Sequence, residues 1–186
     1  MIVENVLTDW LHTMDLGVGQ YCSGFVSKIL FEQVWGADLN NKEEQIRRGL
    51  LALRPRFEAW AKTPAAIGLK PTFRLTKNTV LGSEGLRRPM TKMKGLESRA
   101  FLYFVIDELE VKMSTLFARP GPTPRICSDL HKYCALLREL YDLVMGSGVV
   151  MSAVDALRAK ELLAGHATML RRAGRNWLRN ITGPTT

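Results

Sequence analysis

The chain has 186 residues, 46% of them hydrophobic, which is enough for a packed core and too apolar for a disordered chain. Its formal net charge of +8 favours anionic partners, nucleic acid first among them. Three cysteines, Cys22, Cys127 and Cys134, include no CxxC pair, which argues against a disulfide framework and for a reducing, intracellular compartment.

Residues 1–9 hold Ile2, Val3, Val6 and Leu7 and are compatible with a short strand. The segment shows no basic region followed by a long apolar stretch, so no secretory signal is expected. From Val18 to Trp35, apolar residues at three- and four-residue steps predict a helix ended by Gly36. Asn40 or Asn41 can cap the next helix, whose inner face carries Ile46, Leu50, Leu53, Phe57 and Trp60. Pro55 is expected to kink or split it near Arg54. Residues 63–90, rich in Gly and Pro, read as irregular, with an extended piece at Thr72–Leu75. A long helix is expected from about Thr91 to Phe117, buried at Ala100–Ile106. Another runs from Thr123 or Pro124 to Gly146, and a last one from Ser152 to about Asn180. No apolar run approaches the ~20 residues that span a bilayer. The expected fold is therefore mostly α, a single domain over 1–186 with parts at 1–17, 18–62, 63–90 and 91–182.

Three constellations carry chemistry. Glu97 shares a helix face with Met93, Ala100, Phe101 and Phe104. A carboxylate on an apolar face needs a cation, a hydrogen-bond donor or a metal, unless it faces water one turn into the helix. Asp9, His12 and Asp15 lie close in sequence. They can serve as carboxylates and an orienting imidazole around Mg²⁺ or Mn²⁺, with Asp9 and Glu97 as metal ligands, or as helix caps and a partly buried polar group. Cys127, His131 and Cys134 share a helix face, with His166 the only nearby fourth ligand for zinc. They match no structural-zinc spacing and read more simply as core cysteines.

Basic residues suggest a binding surface. Lys70, Arg74, Lys77, Arg87, Arg88, Lys92, Lys94 and Arg99 face only Glu84 and Glu97 within residues 70–99. Arg172, Arg175 and Arg179 recur on one face of the last helix. Such stripes suit phosphate backbones, or else form a solvated face, an anionic-membrane contact or an acidic-protein contact. A small-molecule substrate is not expected. No Gly-rich phosphate loop or nucleophile elbow is present.

Two strings resemble a known family. Asp9-Trp10-Leu11-His12-Thr13-Met14-Asp15-Leu16-Gly17-Val18 resembles the Asp/Cys-x-x-His signature of eukaryotic DDE/D transposases of the CACTA and hAT type. Lys92-Met93-Lys94-Gly95-Leu96-Glu97-Ser98-Arg99-Ala100-Phe101-Leu102 resembles the segment around their catalytic glutamate. The resemblance implies an RNase H-like core with a helical insertion over 18–62. It implies Glu97 as the catalytic glutamate, with Asp9 and His12 as the signature pair. It also implies a DNA partner and, for that partner, a nuclear location. The family's catalytic aspartates are expected upstream of the signature, so the resemblance implies a C-terminal fragment that does not cut DNA alone. A helical protein-interaction module or homo-oligomer with a basic surface is the alternative expectation.

Overall fold

The computed structural model describes residues 11–66, 68–69, 73–87, 89–119, 123–146, 151–165 and 168. The fold is mostly α, and none of the described residues lies in a β-strand. The expected strand at 1–9 and the end of the last helix fall outside the described residues. No helix among those described is long and apolar enough to cross a membrane. The chain divides into two compact units, Met1–Lys112 and Met113–Thr186.

The first unit opens with a helix over 11–35, α1. It is wound as π-helix at Leu11–Val18 and Phe31–Trp35 and as α-helix at Gly19–Leu30 between them. The Gly36 amide closes it on the Phe31 carbonyl at 2.9 Å. Asn41 caps α2 (Lys42–Trp60), its Oδ1 accepting from the Glu43 and Glu44 amides at 2.9 and 3.2 Å. Pro55 does not split α2, which runs through it. Pro55 sits on the solvent side, and Leu51, whose carbonyl loses its helical donor there, is 55% exposed. Water can satisfy that carbonyl, while Leu53, Phe57 and Trp60 hold the opposite face in the core.

After a 3₁₀ turn at Pro64–Ala66 comes the short helix α3 (Lys77–Leu81). A capping box between Thr76 and Thr79 starts it, and Gly82 at φ +71° ends it. The long helix α4 (Gly95–Phe117) begins four residues later than Thr91, where the sequence alone places it. Residues 91–94 are extended instead, with Thr91 and Met93 buried and Lys92 and Lys94 exposed.

The rings of Phe57, Trp60, Phe73, Phe101 and Phe104 centre this core, Phe57 lying 5.1 Å from both Phe73 and Phe104. Trp60 Nε1 donates to Asp107 Oδ2 at 2.8 Å, so the ring is buried while its polar edge is satisfied. Elsewhere Phe31 lies against Gly49, where an added Cβ would meet the ring at 2.4 Å.

The second unit contains the last turn of α4, α5 (Thr123–Gly146) and a helix over 153–165, α6. Ser152 caps α6 as the sequence predicts. Its Oγ accepts from the Asp155 amide at 3.1 Å and donates to Asp155 Oδ2 at 2.7 Å. Cys127, Leu130, Tyr133, Cys134, Leu137, Leu140 and Tyr141 line the buried face of α5, and Leu162 the buried face of α6. Arg158 Nε on α6 donates to Glu139 Oε1 on α5 at 2.9 Å.

Candidate nucleic-acid interface

Residues 89–99 run antiparallel to residues 24–15 of α1, and three sets of contacts fix that course. At one end, an added Cβ on Gly24 would stand 2.6 Å from the Pro89 carbonyl carbon and 2.7 Å from the Met90 nitrogen. Only glycine lets the segment lie this close to the helix backbone. In the middle sits Gln20, 7% exposed. Its carbonyl accepts from the Thr91 amide at 3.1 Å and from Thr91 Oγ1 at 3.4 Å, and its Nε2 donates to the Met93 carbonyl at 2.7 Å. At the far end, Ser98 Oγ donates to the Asp15 carbonyl at 2.7 Å, while Arg99 donates Nη2 to Asp15 Oδ2 at 2.6 Å and Nε to Oδ1 at 3.3 Å.

The Asp15 and Arg99 side chains are 1% and 9% exposed. Two charges taken this far from water are tolerated because the guanidinium meets the carboxylate through two hydrogen bonds and each neutralises the other. The two motif segments of the sequence therefore meet, but through Asp15 and Arg99. Glu97, half-buried at the third position of α4, accepts from the Lys94 amide at 3.2 Å through Oε2. That is the reciprocal half of a capping box and gives the carboxylate a donor at the helix start.

Asp9 lies outside the described residues, and so does the side chain of His12. Among the described residues, no three His, Cys, Asp or Glu side chains stand together in a way that could hold a metal ion. Asp15 is held by Arg99, and Glu97 accepts from a backbone amide. Cys127 and Cys134 are buried and not joined in a disulfide, and burial pushes the Cys127 thiol up to about 11.

Several of the predicted basic residues are individually exposed. Arg74, Arg87, Lys92 and Lys94 are exposed and have no ion pair among the described residues. Lys77 is half-buried and its Nζ pairs with Glu43 Oε1 at 2.8 Å, so its charge is partly compensated. Lys70, Arg88, Arg172, Arg175 and Arg179 lie outside the described residues.

Sequence reasoning passes over Gln20, Thr91, Ser98 and, as a structural partner, Arg99. The signal for them is weak but present: Gln20 shares a helix face with the small residues Gly17, Ser23, Gly24 and Ser27, which leave room for a close neighbour, and Arg99 opens the most apolar stretch of the chain. No known family model matches the chain, no curated protein is significantly similar to it, and no solved structure matches it.

Proposed function

We propose that the chain is a transposase-derived DNA-binding module, akin to the helical part of a DDE-type domain, that does not cut DNA by itself. One observation carries the reading. The two strings that resemble transposase motifs lie 84 residues apart at Asp15 and Arg99, yet they meet there through a buried ion pair. Two accidental likenesses in unrelated parts of a chain need not be neighbours in space. Of the exposed cations, Lys92 and Lys94 belong to the segment that packs there, Arg74 and Arg87 precede it in sequence, and positive charge of this kind is what a phosphate backbone attracts.

The test is fluorescence anisotropy with a random-sequence DNA duplex across a salt series. Each neutralised phosphate contributes about 0.9 to the slope of log affinity against log salt, so four cations should give a slope of roughly −3 to −4. Steep, sequence-blind binding supports the reading, and absent or salt-insensitive binding overturns it. A protein-interaction module is the second reading, favoured by Val154 and Leu157 of α6, which are 77% and 60% exposed. Its binding would change little with salt.

A further inference from the structure

The four residues Thr91–Lys94 have no strand beside them, so their backbone polar groups must find partners elsewhere. The Thr91 amide goes to the Gln20 carbonyl at 3.1 Å, and the Lys92 amide to the Thr79 carbonyl at 2.9 Å. The Met93 carbonyl accepts the Gln20 side-chain amide at 2.7 Å, and the Lys94 amide donates to Glu97 at 3.2 Å. Lys92, Met93 and Lys94 all have good intrinsic helix propensity, and α4 starts at the next residue. What keeps them out of that helix is this set of bonds, of which residue 20 supplies two, one through its backbone carbonyl and one, specific to glutamine, through its side-chain amide.

Extension has a chemical consequence. In an extended chain, side chains alternate sides and the backbone rises about 3.3 Å per residue. With Thr91 and Met93 turned into the core, Lys92 and Lys94 stand on the solvent side, about 6.6 Å apart along the chain. Were these residues a first turn of α4, the two lysines would point about 200° apart around the helix axis. The Lys92 stem also lies across Gly82, with Cε 3.8 Å from where a Cβ would be, which restricts the direction of its ammonium group.

Resting on the DNA-binding reading, we propose that Gln20 is a positioning residue that holds residues 91–94 extended, so that Lys92 and Lys94 engage neighbouring phosphates of one nucleic-acid strand. Gln20 is buried and touches no nucleic acid itself. Its effect passes through the geometry of the two lysines.

The experiment measures the salt slope of duplex binding for the wild type, K92Q/K94Q, Gln20→Met and Gln20→Asn, with helix content checked by circular dichroism. Losing both lysine contacts should reduce the slope by about 1.8. Gln20→Met keeps the side-chain length and removes the donor to Met93, whereas Gln20→Asn keeps the amide but cannot reach. Both leave the net charge unchanged, so a drop of about one to two in slope, at wild-type helix content, is the expected result and one that lost stability alone does not produce. A wild-type slope in either folded Gln20 variant overturns the proposal. So does loss of the fold in both, because a residue the whole unit depends on is not a device for presenting lysines. If K92Q/K94Q itself binds like the wild type, the DNA-binding reading of this segment fails independently of Gln20.

Discussion

Arg99 Nη2 stands 2.6 Å from Asp15 Oδ2, with both side chains nearly sealed from water, and this bond joins the second turn of α4 to the π-wound start of α1. Breaking one half of such a pair leaves an uncompensated buried charge, which costs about 3–5 kcal/mol. Asp15→Ala and Arg99→Met should each lower stability by about that amount in urea unfolding. The double variant should lose much less than the sum, because neither charge remains to be stranded. Additive losses would mean that the two residues act independently.

Close approach of residues 89–90 to α1 sets the second expectation. Alanine is the better helix former by about 1 kcal/mol, so Gly24→Ala would stabilise an isolated helix. Here the new Cβ would stand 2.6 Å from a backbone carbonyl carbon, and a backbone cannot swing aside as a side-chain tip can. Overpacking of this kind costs about 1–3 kcal/mol, so the net effect should be a loss of up to about 2 kcal/mol. Gly146→Ala is the control, since no described residue lies within 4 Å of its Cβ position. Thermal unfolding of the two variants should shift in opposite directions, or the control should not shift at all.

Glu97 allows the capping and metal-ligand roles to be separated. A neutral amide oxygen still accepts the Lys94 amide, so Glu97→Gln should unfold within about 0.5 kcal/mol of the wild type. Glu97→Ala should lose about 0.5–1.5 kcal/mol with the hydrogen bond. Adding Mg²⁺ or Mn²⁺ should stabilise none of the three proteins. A metal-dependent rise in melting temperature in the wild type that is absent from Glu97→Gln would instead make the carboxylate a ligand.

The helices were legible in the chain wherever the signal is local. Asn41 and Ser152 cap the helices they precede, and Leu53, Phe57 and Trp60 point inward as their spacing dictates. Boundaries set by distant partners were not legible. Nothing within Thr91-Lys92-Met93-Lys94 marks it as extended, because the bonds that hold it so come from Gln20 and Thr79. Pro55 is the converse case: the local rule allows a split, and with the opposite face of α2 buried the helix runs on through it. Of the candidate site, the sequence pointed to Asp9 and Glu97, whereas the described contact between the two segments is made by Asp15 and Arg99. The residues that join them were hidden by their ordinary appearance, since an Arg two places after a Glu reads first as that Glu's partner.

Glu32 gives a pH dependence whose sign can be worked out. It lies half-buried in the last, π-wound turn of α1, and burial raises its pKa above the ordinary carboxylate value, against the opposing pull of Lys28 and Lys42. The folded chain therefore holds this proton at pH values where the unfolded chain has released it. Stability from this residue is full below the unfolded value of about 4.3 and declines as pH rises through the folded one. Glu32→Gln removes the charged state that burial opposes. Its melting temperature should exceed that of the wild type at pH 7, and the difference should close as the pH falls toward 4. If the variant is instead less stable at pH 7, attraction to Lys28 and Lys42 outweighs the cost of burial at this turn.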